Sequence, residues 1–274
     1  MPLAPPLADL TVLQLTDSHL FADPAARLLG VDTQENLEVL LRHVRAQPRK
    51  ADLLLATGDL SQDGSPESYE HFLRLVAPLA LPVHALPGNH DRRDSFHAVL
   101  GPRAAPVVDH GAWRLILLDT LIPGSDAGLL APGQLALLAE AGQVAADRHV
   151  LVALHHSPIT LGSRWLDTMT IANAEQLMAC LAGLPRVRAL LWGHVHQACD
   201  TSIPHPAGPD GARLRLLATP STCFQFKPQS RDFGLDDAAP GYRWLRLAAD
   251  GGVDTEVVRV DELAGRHDAS STGY

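Results

Sequence analysis

An α/β fold is the prediction, and three observations carry it. Short apolar runs bounded by turn residues recur along the chain, segments with helical apolar spacing lie between them, and the pattern shifts toward period two beyond Gly193.

Residues 11–15 and 53–56 are too short for helices and apolar enough to be buried on both faces, so both read as strands. Residues 83–86 are a weaker third. Between them, 34–45 places Leu37, Leu40, Leu41 and Val44 on one helical face, and 67–76 does the same with Tyr69, Phe72, Leu73 and Val76. The opening is therefore βαβαβ. Residues 113–118, 150–154 and 189–192 continue the strand series, and 134–144 and 174–181 supply further helices. Residues 242–247 and 253–260 alternate and read as antiparallel strands that close the fold. Residues 204–211, rich in Pro and Gly, form the loop of a surface hairpin. With no internal repeat and no long linker, residues 1–274 are expected to make one domain, of which 265–274 form a mobile or loosely docked tail.

Composition narrows the function classes. The chain has 274 residues, 46% of them hydrophobic, which suffices for a sizeable core. A formal charge of −9 with no Lys/Arg stripe argues against a nucleic-acid polymer as partner and leaves room for a small anion. The first ten residues hold three prolines and no basic residue, so no secretory signal is expected there. No apolar run nears the roughly 18 residues that span a bilayer, and no membrane partner is expected. Cys180, Cys199 and Cys223 are odd in number and lack a CxxC pair, which suggests neither a disulfide framework nor a thiolate zinc site and favours a reducing cytoplasm. The 14 histidines, many beside glycine, asparagine or aspartate, are worth placing one by one, because imidazole suits transition metals.

Five polar clusters each follow an expected strand: Asp17-Ser18-His19, Gly58-Asp59, Gly88-Asn89-His90-Asp91, His155-His156 and Gly193-His194-Val195-His196. Functional groups collect outside the carboxyl ends of buried strands, so neighbouring strands in one sheet would bring all five to one rim. Taken singly, each has a bland reading. Asp17 and Asp59 suit turns or helix caps, Asn89 suits a left-handed turn, and the His155-His156 pair suits a polar strand end. In Gly193-His194-Val195-His196, alternation along extended backbone would put both imidazoles on one side. Five such coincidences in order outweigh the bland readings together.

The donor set is oxygen and imidazole nitrogen without thiolate. It fits iron and manganese, with zinc or cobalt as other metals it accepts, and exceeds what one tetrahedral ion needs. Two ions about 3.5–4 Å apart, bridged by one carboxylate, would use all of it and generate a bridging hydroxide as nucleophile near neutral pH. Neither a GxxxxGK[ST] loop nor a GxSxG elbow is present, which removes nucleoside triphosphatase and α/β-hydrolase readings.

In order and spacing, the five clusters resemble the DxH, GD, GNHD, H and GHxH pattern of the calcineurin-like metallophosphoesterase superfamily over nearly the whole chain. The resemblance implies a four-layered α/β sandwich, two mixed sheets flanked by helices, with both metals at the sheet rim. It implies Asp17, His19, Asp59 and His196 for one ion and Asp59, Asn89, His155 and His194 for the other, with Asp59 as the bridge. His155 is preferred to His156 because it stands where the strand ends. By the same similarity His90 is a catalytic imidazole that does not ligate metal, stabilising phosphate charge and assisting the leaving oxygen, and Asp91 orients its ring. The implied substrate-binding set is His19, Asp59, Asn89, His90 and His196.

Within that superfamily, residues 15–21, 164–167, 218–228 and 239–243 and the Gly273-Tyr274 terminus are similar to the bacterial class III 3′,5′-cyclic-AMP phosphodiesterases. Ser157 stands where a third histidine often follows the pair. The similarity implies a cyclic-nucleotide substrate and hydrolysis of cyclic AMP to 5′-AMP. Phe224 and Phe226 suit either the core or a wall beside the base, and Lys227 suits either phosphate screening or a solvated surface. The competing expectations are a dinuclear phosphodiesterase acting on 2′,3′-cyclic nucleotides or glycerophosphodiesters, and a non-catalytic metal-binding interaction module. Scaffolds of the second kind usually lose site residues, and none is missing here.

Overall fold

The computed structural model describes residues 8–145 and 147–273. The first seven residues, on which part of the signal-peptide reading rests, and Tyr274 of the terminal dipeptide lie outside the described residues. The chain begins with β1 (Leu10–Leu15), then a small hairpin of β2 (Arg27–Leu28) and β3 (Val31–Asp32). Helix α1 (Thr33–Ala46) starts where the Asp32 carboxylate accepts the Glu35 amide. After β4 (Leu53–Thr57), α2 (Pro66–Val76) starts from Ser65 with proline at its first position. Next come β5 (Val83–Leu86), α3 (Arg93–Leu100), β6 (Val107–His110), β7 (Trp113–Leu117), α4 (Pro132–Gln143), β8 (His149–Ala153), α5 (Ala174–Ala182) and β9 (Val187–Trp192). The chain closes with β10 (Cys199–Pro204), β11 (Arg213–Ala218), the short pair β12 (Gln225–Phe226) and β13 (Leu235–Asp236), and the antiparallel strands β14 (Gly241–Leu247) and β15 (Val253–Arg259).

The strands fall into two main sheets, ordered β15-β14-β1-β4-β5 and β10-β11-β9-β8-β7-β6. The inner strands of each run parallel, through β1-β4-β5 and β7-β8-β9-β11. Alternation along each strand then sorts the core into layers. Val12, Leu53 and Leu55 of the first sheet meet Leu115, Leu151 and Leu191 of the second between the sheets. Leu13, Leu54 and Ala56 face the opposite way, onto Leu37 and Leu40 of α1 and Phe72 of α2. Ile116, Val152 and Leu190 of the second sheet pack outward on Leu138 of α4 and Leu177 of α5. The result is the four-layered helix, sheet, sheet, helix sandwich.

The five clusters therefore do not come from one sheet. The first three follow β1, β4 and β5, whereas the His155 and His194 clusters follow β8 and β9 of the other sheet. A polar network locks the two sheets together beneath the rim. Gln14 Nε2 donates to Thr57 Oγ1 at 2.8 Å, Thr219 donates to Gln14 Oε1, and the Arg243 guanidinium, 2% exposed, donates to Thr219 Oγ1 at 2.9 Å and to the Ala218 carbonyl at 2.6 Å. Toward the C-terminus the Asp268 amide donates to the Leu29 carbonyl at 2.7 Å, which ties the tail to the β2-β3 hairpin.

Candidate metal centre

The loops after β1 and β4 are laced together by amides: Asp17 N to Gly58 O at 3.0 Å, His19 N to Asp59 O at 2.9 Å and Leu20 N to Leu60 O at 3.0 Å. Across the sheet boundary the His194 amide donates to the Asp17 carboxylate at 3.0 Å, and Ser221 Oγ donates to the Asp17 carbonyl at 2.7 Å. These bonds hold backbone that side chains rarely adopt. Asp17, His19, Asp59, His194 and His196 all have positive φ, between 46° and 65°. Strain of that kind persists only where the surroundings over-determine it, and here it gathers on the residues the sequence singled out. It also corrects one expectation. Gly193-His194-Val195-His196 is not extended, and its left-handed turns send the imidazoles to different partners: His196 toward Asp17 and His19, His194 toward Asp59 and His155.

Gly88 and Gly193 are required for close approach. A Cβ on Gly193 would strike Thr16 and Asp17, and one on Gly88 would strike Asp59 and lie 2.7 Å from His155 Nε2.

The seven expected ligands converge. His196 Nε2 lies 3.4 Å from Asp17 Oδ1 and 3.2 Å from His19 Nε2. His155 Nε2 lies 3.1 Å from Asp59 Oδ2 and 3.1 Å from Asn89 Oδ1. Asp59 stands between the groups, 4.0 Å from His19 Nε2 through the same Oδ2. All are fully buried except His194, at 5% exposure, and Asn89, which is partly exposed.

The tautomers say what this arrangement fits. His196 Nδ1 faces the Phe224 carbonyl at 2.9 Å, His19 Nδ1 faces Gln62 Oε1 at 2.7 Å, and His155 Nδ1 faces the Thr57 carbonyl at 2.8 Å. Each partner is an acceptor, so each Nδ1 carries a proton and each Nε2 is directed inward, where it can offer a lone pair to a cation. Lone pairs facing one another and two carboxylates at such distances are what a cation would reconcile. The buried Nε2 of His194 has no hydrogen-bond partner among the described residues, which fits the same account. Asp17, His19 and His196, and Asp59, His155 and His194, form groups that could each hold an ion, and His19, Asp59 and His90 form a third between them.

Charge tells the same story. Burial alone would raise the Asp59 pKa, but the rings of His155 and His90 outweigh it and hold the carboxyl well below its ordinary range. Burial likewise opposes a charge on His155, yet Asp59 prevails and the ring rises to about 9. Without a metal, a proton on His155 Nε2 would meet Asp59; a bound cation takes that place. Burial drives His19 down to about 3 and His194 well below the usual imidazole value, so both are neutral donors ready for a metal.

His90 is half-buried beside this cluster, its amide donating to Asp59 Oδ1 at 2.9 Å and its ring meeting His19 edge-on at 5.1 Å. Asp91 differs from the expectation of an orienting carboxylate. It accepts the amides of Gly88 at 2.8 Å and Ser61 at 3.0 Å, so it joins the Asn89 loop to the Asp59 loop. Burial, with the Asp59 charge second, raises it to about 7. His156 points elsewhere, its Nδ1 bonded to Thr120 Oγ1 at 2.7 Å. Phe224 and Phe226, 3% and 1% exposed, back the centre: Phe224 stacks on His19 at 5.9 Å and Phe226 on His196 at 4.3 Å. Lys227 is exposed. Gln62 and Thr57 support the site yet stood in no motif, whereas Ser221 and Arg243 lie in segments 218–228 and 239–243 that carried the resemblance.

Comparison with known proteins agrees with this geometry. The family model for calcineurin-like phosphoesterases matches residues 10–198. The chain is 47% identical to the 3′,5′-cyclic adenosine monophosphate phosphodiesterase CpdA of Pseudomonas aeruginosa, over 98% of this chain and 97% of that one. It is 42% identical to the CpdA of Escherichia coli K12, over 97% and 96%. Among solved structures, a dimetal phosphatase from Danio rerio superposes with a TM-score of 0.63 at 13% identity, covering 92% of this chain and 99% of that one, a likeness of fold.

Proposed function

This chain belongs to the calcineurin-like phosphoesterase family, and from that premise we infer that it is a metal-dependent 3′,5′-cyclic-nucleotide phosphodiesterase that hydrolyses cyclic AMP to 5′-AMP. The observation that carries the reading is the complete donor set at the junction of the two sheets, in a chain alike over nearly its whole length to enzymes named for that reaction.

Asp17, His19, Asp59 and His196 would hold one ion, and Asp59, Asn89, His155 and His194 the other, with Asp59 shared. Iron and manganese suit these donors best. Bound there, the metals supply Lewis acidity toward the phosphoryl oxygens and a water acidified enough to attack at neutral pH. The chain's own residues do the rest. His19, His196 and His155 each anchor Nδ1 on a protein acceptor, which directs Nε2 toward the centre and fixes the ligands before substrate arrives. Asp91 keeps the Asn89 and Asp59 loops in register.

Hydrolysis adds water across the P–O3′ bond: the water oxygen ends on phosphorus and a proton ends on the 3′ oxygen. His90, at the open edge of the centre and held by its amide on Asp59, is the group placed to stabilise phosphate charge and deliver that proton. His19, Asp59, Asn89, His90 and His196 surround the position the phosphate takes. We also place the protein in the cytoplasm, a reading supported by its three free cysteines. No helix among the described residues is long and apolar enough to cross a membrane.

The test is product analysis on metal-quantified protein with cyclic AMP, cyclic GMP, 2′,3′-cyclic AMP and a generic diester. The reading requires cyclic AMP to be turned over to 5′-AMP with a higher kcat/KM than the 2′,3′ isomer or the diester. A reversed order would refute it.

A further inference from the structure

Beside the metal centre lies a cavity of about 190 Å³, walled on one side by Asn89, His90 and His194 and on the other by Trp165, Met169 and Phe233. It is smaller than the roughly 300–1,000 Å³ of pockets that engulf a whole drug-sized ligand, so it suits one moiety of a substrate whose phosphate sits at the metals. Trp165, Met169 and Phe233 are all partly exposed and pack against the buried cluster of Val31, Leu166, Cys223, Phe224 and Phe226. That packing still leaves part of each aromatic ring lining a cavity that also takes in Asn89, His90 and His194.

The wall is also pre-organised. Phe226 lines the cavity too, its ring 4.9 Å from Trp165 at 89°, and Trp165 meets Phe233 at 5.3 Å. The segment carrying Trp165 is tied to the one carrying Phe233 by the Arg164 amide on the Ser230 carbonyl at 2.9 Å. Asp167 stiffens the same turn by accepting the Leu161 amide at 2.7 Å and the Gly162 amide at 3.1 Å. Asp126 reaches the cavity too. Its carboxylate disfavours a second phosphate there and accepts an N–H donor, which selects a base over a polyphosphate or a charged alcohol as occupant.

We propose that Trp165 and Phe233 form the base pocket of this enzyme, a platform on which the purine ring of the cyclic nucleotide stacks while its phosphate engages the metal centre. The inference rests on the cyclic-nucleotide reading above and names the residues that recognise the base. Stacking of a base on an aromatic side chain is sequence-tolerant and survives replacement of one aromatic by another.

Two measurements test it. The first compares kcat/KM for cyclic AMP with that for ribose 3′,5′-cyclic phosphate, which lacks the base, in the wild type, Trp165→Ala, Trp165→Phe and Phe233→Ala. The ratio should fall about ten-fold in each alanine variant, chiefly through KM, and recover in Trp165→Phe. An equal loss on both substrates would mark a merely structural role and overturn the proposal. The second follows tryptophan fluorescence: 5′-AMP should quench it, ribose 5-phosphate should not, and the quench should vanish in Trp165→Phe. A quench unchanged in that variant would equally overturn it. Because this readout needs no turnover, failure of the wild type on cyclic AMP would defeat the functional reading while leaving the pocket decided by fluorescence.

Discussion

Gly88→Ala isolates the role of close approach at the centre, because it removes no ligand and no charge. Gly88 has ordinary backbone dihedrals, so the added methyl brings no conformational strain of its own. It does land on Asp59 and 2.7 Å from His155 Nε2, where ordinary contact begins near 3.4 Å. The Asp59 amide nitrogen is closer still, 2.5 Å from the added carbon, so the loop must retreat by about 0.9 Å, several times the roughly 0.2 Å within which metal–ligand distances are held. A misplacement near 1 Å costs about 100-fold in rate. The expectation is therefore a fall in kcat/KM on cyclic AMP of about 100-fold or more, with metal lost on buffer exchange and the circular dichroism spectrum unchanged. The assay pairs steady-state kinetics with elemental analysis of the same samples. Wild-type metal content together with wild-type turnover would refute the argument that the ligands are set by backbone proximity.

Other outcomes follow from the same geometry. His90→Ala should lower kcat about 100- to 10,000-fold with metal content retained, measured on the same preparation; loss of metal would make it a ligand instead. Arg243→Met would take the guanidinium from the buried Ala218 carbonyl and the partly buried Cys199 carbonyl and should cost about 3 kcal/mol in urea unfolding, a loss below about 1 kcal/mol contradicting the network's role. His84, across from His110 at 3.0 Å, is pushed down to about 4 by burial and then by His110. Its folded pKa lies below its unfolded value near 6.5, so the stability it favours is complete above that value and is lost as pH falls toward 4. Discounted for partial exposure, the effect is about 1–2 kcal/mol, and His84→Gln should flatten that part of the stability-versus-pH curve. An unchanged slope would contradict it.

Much of the site was legible because strand ends, turn-forming glycines and chelating side chains sit close in sequence. Asp17 and His19, or His194 and His196, declare themselves within one short segment. The helices ran close to expectation, Thr33–Ala46 against 34–45 and Pro132–Gln143 against 134–144, because apolar spacing is a local signal. Helix α3 escaped notice, its eight residues giving only Phe96 and Leu100 to the core. What the chain order could not reveal was the division of the clusters between two sheets, since that depends on which strands pair at long range. The left-handed turns at His194 and His196 were hidden for a related reason: they are imposed by contacts such as the Asp17 carboxylate on the His194 amide, 177 residues away in sequence. Gln62 supports a ligand through a single hydrogen bond, which leaves no motif behind. Trp165 and Phe233 meet beside the cavity from segments far apart in the chain, so their contact needed coordinates.

The most direct test of the account is anomalous diffraction at the manganese edge from crystals of manganese-loaded protein. It should show two peaks, one against His19, His196 and Asp17 and one against Asn89, His155 and His194, with the Asp59 carboxylate touching both. A single peak, or a second one away from these side chains, would contradict it.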